Sequence, residues 1–90
     1  MKKVSQSTQF LRDVRKLRKR GKDLEKMKVV VHELAKGKPL DRKYYDHPLS
    51  GEWKNRRDCH IEPDWVLIYT INAISLRLER TGSHSDLFIK

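Results

Sequence analysis

The sequence predicts an α+β fold in which two N-terminal amphipathic helices pack on a three- to four-stranded antiparallel sheet. Apolar residues recur every three to four positions before Pro39 and at alternate positions after it, a change typical of helices followed by strands. Connections in the second half are short, and short connections favour antiparallel pairing. A chain of 90 residues is expected to form one domain, residues 1–90.

Two apolar stripes at helical spacing define the first half. The first stripe is Phe10, Leu11, Val14 and Leu17, and the second is Leu24, Met27, Val31 and Leu34. Ser7 or Thr8 can cap the first helix and Asp23 the second, while Gly21 and Gly37 follow as stop signals. The gap between the helices is short, so they are expected to form a helical hairpin.

The second half contains three predicted strands. Residues 55–61 form the first, residues 65–71 the second, and the third begins at Ile74, with every second side chain on the buried face. Residues 2–5 are expected to add at most a short edge strand. The phrase Ser83-His84-Ser85-Asp86 matches a capping box, which starts a final helical turn.

Positive charge is concentrated in the first half. Residues 1–43 carry 15 lysines and arginines against 5 acidic residues, whereas residues 44–90 carry 6 against 7. A basic helix face attracts a polyanion such as RNA. The same face is also compatible with an ordinary solvated helix or with an acidic protein partner.

Three histidines lie in short polar segments of the second half: His47, His60 and His84. RNA cleavage without metal needs a base for the ribose 2′-OH, an acid for the leaving 5′-oxygen and donors for the phosphate charge. Histidine suits both proton-transfer roles near neutral pH. Strand ends can bring these residues together with Asp64, whereas His32 lies off the apolar stripe and is expected at the surface.

Several further residues are candidates for substrate binding. The cations that can hold the scissile phosphate are Arg80, Arg57 and Lys54. Phe88 can stack a base, and Trp65 opens the second strand beside Asp64. Structural roles are equally open: Asp64 as a turn cap, Trp65 as a core residue, and Phe88 as an anchor for the C-terminal tail.

The sequence predicts no metal site, no cofactor and no membrane span. The gaps between the three histidines and Asp64 match no compact zinc-ligand spacing, and an acidic cluster suited to magnesium is not evident. The single cysteine, Cys59, is expected to be a small buried residue on a strand. The two N-terminal lysines are followed by no apolar stretch, so a cytoplasmic protein is expected.

The second half also resembles a known family, the YafQ branch of the RelE/ParE toxin superfamily. The matching phrases, in order, are His47-Pro48-Leu49-Ser50-Gly51-Glu52-Trp53-Lys54, Arg57-Asp58-Cys59-His60-Ile61-Glu62-Pro63-Asp64-Trp65, Leu67-Ile68-Tyr69, Arg80-Thr81-Gly82-Ser83-His84 and Leu87-Phe88. The two preceding helices are consistent with it. One residue departs from the pattern: Arg56 stands where these toxins more usually have an aromatic side chain.

The resemblance implies a bacterial type II toxin, an endoribonuclease that cuts messenger RNA in the ribosomal A site and is neutralised by a cognate antitoxin. It implies functional positions at His47, His60, Asp64, His84 and Phe88, with Trp65 beside them. We expect His47 and His84 to provide base and acid, and the free toxin to be a monomer. The basic helices would face ribosomal RNA.

Two other classes of protein remain compatible with the sequence. A ParE-like toxin would share the fold and inhibit gyrase without cutting RNA, an activity that requires no pair of proton-transfer groups. A noncatalytic regulator would bind DNA through the basic helices, although the sequence contains no clear helix-turn-helix or ribbon motif. The histidine series favours the ribonuclease.

Overall fold

The computed structural model describes residues 1–88 and has the predicted α+β architecture. In chain order its elements are β1 (Lys3–Gln6), α1 (Thr8–Lys19), α2 (Leu24–Ala35), β2 (His47–Pro48), β3 (Arg57–Glu62), β4 (Trp65–Ile71), β5 (Ser75–Gly82) and α3 (His84–Phe88). Short 3₁₀ turns cover residues 42–44 and 51–53. No helix among residues 1–88 is both long and apolar enough to cross a membrane.

The predicted caps begin and end the two long helices. Ser7 accepts a hydrogen bond from the backbone N–H of Phe10 at 2.9 Å, and Asp23 accepts one from the N–H of Glu25 at 3.1 Å. These bonds satisfy N–H groups that have no partner within the helix. Gly21, with φ of 81°, adopts the left-handed conformation just after α1 that favours glycine.

The sheet has five strands in the order β1-β5-β4-β3-β2. β1 pairs parallel to β5, while β2–β3, β3–β4 and β4–β5 are antiparallel. The prediction of a wholly antiparallel sheet of three or four strands was therefore wrong in count and in one direction. Because β1 joins the last strand of the sheet rather than its neighbour in sequence, no short connection constrains that pair to be antiparallel.

The helices and one face of the sheet enclose the main core. Its sheet residues are Cys59, Ile61, Trp65, Leu67, Tyr69, Leu76 and Leu78, and its helix residues are Phe10, Leu17, Met27, Val30, Leu34 and Ala35. Cys59 is fully buried on a strand, as expected. Ile74 is not in this core: it is 77% exposed, because β5 begins one residue later and Ile74 lies in the preceding turn.

The opposite face of the sheet carries a second, smaller cluster. Val66, Ile68 and Leu87 are buried there, with Leu49 and Trp53 packed against them. Alternation along β4 therefore buries both faces of that strand, as in a central strand. The second cluster leaves room beside it for polar side chains, and the predicted site lies there.

Candidate active site

Three imidazoles converge on the face of the sheet opposite the two long helices. His60 pairs across β3 and β4 with Val66 of the second cluster. Ring centroids lie 6.4 Å apart for His47 and His60, and 5.2 Å apart for His60 and His84. The side chains of His47 and His84 are 51% and 48% exposed, so a ligand can reach them. We call these three residues the imidazole cluster.

Asp64 holds His84 in a defined orientation. Asp64 Oδ1 accepts a hydrogen bond from His84 Nδ1 at 2.6 Å and another from the His84 backbone N–H at 3.0 Å. These two bonds keep the pKa of the Asp64 carboxyl below its usual range, the backbone bond being the larger cause. Because a carboxylate only accepts, Nδ1 carries the proton in this bond. The neutral ring then has a free lone pair on Nε2.

The backbone of Tyr45 orients His47 in a similar way. His47 Nδ1 donates to the carbonyl oxygen of Tyr45 at 2.8 Å, which again leaves Nε2 for a ligand. The preceding residue, Asp46, accepts hydrogen bonds from the Tyr69 hydroxyl and from Arg57 Nε. Burial raises the pKa of Tyr69, so its phenol stays protonated and remains a donor. The short strand β2 is thus anchored where it presents His47.

Asp58 is a site residue that sequence reasoning missed. It lies opposite His47 in the β2–β3 pair and is only 3% exposed. Its Oδ1 is 2.9 Å from His47 Nδ1, but the hydrogen bond of that nitrogen goes to Tyr45, so the contact with Asp58 is an ion pair only when the His47 ring is protonated. The β3 alternation could have revealed this residue, since Asp58 and His60 are two positions apart on one strand and share a face.

Burial raises the pKa of the Asp58 carboxyl, while protonated imidazoles of His47, His60 and His84 oppose that rise. A buried carboxylate beneath three titratable rings can interact favourably with whichever ring carries a proton. Asp58 is therefore suited to stabilise an imidazolium within the cluster.

Asp58→Asn is expected to slow any proton-transfer reaction at this site by roughly a hundredfold, since it removes the charge that supports the rings. The pKa of Asp58 is raised in the folded state, so its ionisation destabilises the fold above that pKa and has no effect below the unfolded value. Urea unfolding should accordingly show that the variant gains stability relative to the wild type between pH 4 and pH 7. A relative loss across that interval would contradict this assignment.

Aromatic side chains extend the imidazole cluster beyond His84. The Phe88 ring lies 5.9 Å from the His84 ring and 6.3 Å from the Trp53 ring. The guanidinium of Arg56 stands 5.9 Å from the centre of the Trp53 ring. The unusual arginine thus sits over an aromatic ring at the Phe88 end of the cluster, where it can contact a phosphate.

The helical turn that carries His84 is firmly attached. Ser83 and Asp86 form the predicted capping box: Ser83 Oγ accepts from the Asp86 N–H at 3.1 Å, and Asp86 accepts from the Ser83 N–H at 2.9 Å. Asp86 also binds Arg20 at 2.6 and 3.0 Å. The Arg20 contact and the capping hydrogen bonds hold the pKa of Asp86 well below its usual range. The basic end of α1 is thereby fixed next to α3.

The structure contradicts the expectation that Trp65 contacts substrate. Trp65 is fully buried on the helix side of the sheet, and its indole N–H donates to Thr81 at 2.9 Å. The residue was expected at the site because it follows Asp64. The first residue of a strand can point to either face, however, and here Trp65 belongs to the main core.

Two predicted cations are paired with carboxylates in the structure. Arg80 binds the buried Asp13 of α1 at 2.8 and 3.2 Å, and Asp13 also accepts the Thr81 N–H at 3.1 Å. Arg57 alternates with Asp58 on β3 and therefore points to the helix side, where it binds Asp46. Lys54 is exposed and follows Trp53 at the aromatic end.

Residues 1–88 contain no group of three or more His, Cys, Asp or Glu side chains arranged to hold a metal ion. Nδ1 of both His47 and His84 is hydrogen-bonded to an acceptor. This orientation leaves Nε2 of each ring available for proton transfer. A mixed sheet with two helices on one face, and imidazoles with aromatic rings on the other, is compatible with the toxin class that the sequence resembles. Comparison with known proteins specifies the branch.

A sequence profile described as "Bacterial toxin of type II toxin-antitoxin system, YafQ" matches residues 2–89. The chain therefore belongs to the YafQ toxin family. It is 46% identical over 86 residues to the mRNA interferase toxin YafQ of Escherichia coli strain K12, an alignment that covers 94% of each protein.

Solved structures agree with this assignment. The toxin in the E. coli DinJ-YafQ toxin-antitoxin complex superimposes with a TM-score of 0.91 at 45% identity, covering 98% of both chains. A metal-bound toxin from Helicobacter pylori gives a TM-score of 0.90 at 44% identity, covering 98% of this chain and 100% of that one. The fold and the family are thus shared over nearly the whole length.

Proposed function

We propose that this protein is an endoribonuclease that cleaves messenger RNA on the ribosome by acid–base attack of the ribose 2′-OH, without a metal ion. The observation that carries the proposal is the imidazole cluster around Asp58, in which two rings have Nδ1 bound to an acceptor. The E. coli relative at 46% identity is named an mRNA interferase. A ParE-like gyrase inhibitor or a DNA-binding regulator would require no such arrangement.

His47 and His84 are assigned the two proton transfers. One neutral ring takes the 2′-OH proton through Nε2, and the other, protonated, gives a proton to the leaving 5′-oxygen. His60 stands between them and donates to the phosphate as negative charge develops. Asp64 keeps His84 in the required tautomer. The products would be a 2′,3′-cyclic phosphate and a 5′-hydroxyl.

Substrate binding is assigned to the aromatic end and to exposed cations. Phe88 stacks one base, since aromatic side chains commonly hold unpaired bases. Arg56 and Lys54, beside Trp53, are placed to contact the RNA backbone. The exposed basic residues of α1 contact ribosomal RNA without sequence preference: Arg12, Arg15, Lys16, Arg18 and Lys19.

The partners follow from the same assignment. A cognate antitoxin neutralises the toxin, as the DinJ-YafQ complex of E. coli supports. The free toxin is proposed to be a monomer formed by one domain and to act in the cytoplasm, where ribosomes translate.

The test is cleavage of a defined message on programmed ribosomes by the purified protein. We expect cutting to persist when EDTA removes transition metals from the toxin and magnesium is then restored to keep ribosomes intact. Fragments should end in 2′,3′-cyclic or 3′-phosphate. A requirement for added zinc, copper or nickel would overturn metal independence, a question sharpened by the metal-bound toxin of H. pylori. Cutting of free RNA at the same rate would overturn ribosome dependence.

A further inference from the structure

A groove opens beside His60, at the end of the imidazole cluster that lies away from Phe88. Its volume is about 690 Å³, and it runs between α2 and the turn at residues 42–44. The side chains that matter here are Lys26, Val29, Lys43, Tyr45 and Glu62, together with His60 itself. The groove is thus continuous with the site, and the acid–base assignment gives it no role.

Tyr45 is the most conspicuous residue of the groove. The residue is 70% exposed, and its ring lies 5.8 Å from the His60 ring. Its backbone is left-handed, with φ of 48°, a conformation that bulky residues seldom adopt. The backbone carbonyl oxygen of Tyr45 accepts a hydrogen bond from His47, but that bond requires no aromatic side chain. The exposed ring therefore calls for a separate explanation.

The charges around the groove favour an anionic occupant. Glu62, the acidic side chain that lines it, is neutralised by Lys22 and Lys26, each at 2.8 Å. Within residues 1–88 no carboxylate pairs with Lys43, whose Nζ stands 5.2 Å from the Tyr44 ring. Tyr44 is only partly exposed, but the exposed Tyr45 lines the same groove as Lys43. A groove that holds both a cation and an exposed aromatic ring is suited to single-stranded nucleic acid. An apolar protein segment would gain nothing from these lysines.

We infer that this groove binds the nucleotide next to the scissile phosphate on the side away from Phe88, with its base stacked on Tyr45 and its phosphate held by Lys43. This inference rests on the proposed ribonuclease function. The message would then be held by aromatic rings at both ends of the imidazole cluster, Tyr45 at one and Phe88 at the other. Holding the nucleotides on both sides of the scissile bond constrains its position more tightly than holding one.

The decisive variant is Tyr45→Asn, because asparagine tolerates the left-handed backbone and keeps the carbonyl that binds His47. Single-turnover cleavage on programmed ribosomes at subsaturating toxin should slow roughly tenfold, the effect of losing one base–aromatic stack. Tyr45→Phe should cut like the wild type. Ile74→Asn, which removes an equally exposed apolar side chain in the β4–β5 turn, is the matched control and should have no effect.

Messages with an abasic nucleotide on either side of the cleavage site complete the test. At one of these positions the abasic message should slow the wild type by a similar factor, and Tyr45→Asn should then add nothing. A plot of log kcat/KM against log salt concentration has a negative slope. Lys43→Gln should make that slope less steep by about 0.7, the change expected for the loss of one phosphate contact on a single strand.

Three results would overturn the inference. The first is a Tyr45→Asn variant that cuts at the wild-type rate. The second is a Tyr45→Asn variant whose cutting is slowed as much on both abasic messages as on the intact message. The third is weakened binding of the antitoxin with cutting unchanged, which would make the groove a protein-docking site. All three leave the ribonuclease assignment intact, whereas a wild-type protein that cuts no message would overturn both.

Discussion

His84→Ala is expected to abolish cutting of messenger RNA on programmed ribosomes, with a loss of at least about a hundredfold, as for the removal of a general acid or base. The variant removes the ring whose Nδ1 is bound by Asp64 and whose centroid is 5.2 Å from that of His60. Neither neighbour is expected to replace it, because His60 and His47 occupy other positions in the imidazole cluster.

The variant should remain folded. The backbone N–H of residue 84 still donates to Asp64, and the capping box of α3 involves Ser83 and Asp86 rather than the imidazole. Circular dichroism and the thermal midpoint Tm should therefore change little. His32→Ala is the matched control, since it removes an exposed imidazole from α2 and should cut normally. Undiminished cutting by His84→Ala would refute the proton-transfer assignment.

Much of this site could be predicted because its residues lie at the ends of recognisable elements. The turn at Pro63 and the capping box at Ser83 place Asp64 and His84 at adjacent strand ends, and the structure brings them into contact. His60 was predicted within a strand and lies in β3. Turns, caps and strand alternation depend on residues that are neighbours in sequence, so they can be predicted without a structure.

The remaining features depend on contacts between distant parts of the chain. Arg80 was a candidate phosphate ligand because of its positive charge, but in the structure it pairs with Asp13, 67 residues away in sequence. A register shift in the β4–β5 pair, after Leu78, also changes the alternation so that Thr81 is buried. Periodicity gives the faces of a strand, but neither the partner of a strand nor its irregularities.

Substitution of the two tryptophans of the chain should change different properties: mainly stability for Trp65, and mainly the rate of cutting for Trp53. Trp65→Ala removes a fully buried side chain and its bond to Thr81, so we expect a loss of about 3–5 kcal/mol in the free energy of unfolding. For a domain of this size, that lowers Tm by roughly 15 °C or more. Trp53→Ala, at the partly exposed aromatic end, should cost roughly 1–2 kcal/mol and slow cutting about tenfold.

Trp65→Phe separates stability from catalysis if the alanine variant does not fold. Phenylalanine preserves most of the packing of Trp65 but cannot donate to Thr81, so stability should fall by about 1–3 kcal/mol. Cutting per folded molecule should equal that of the wild type, because the residue faces the helices and not the imidazole cluster. Urea unfolding, followed by the fluorescence of the remaining tryptophan, gives the first quantity and single-turnover cleavage the second. A Trp65→Phe variant with normal stability and slow cutting would contradict the core assignment and support the earlier interpretation of Trp65 as a substrate-binding residue.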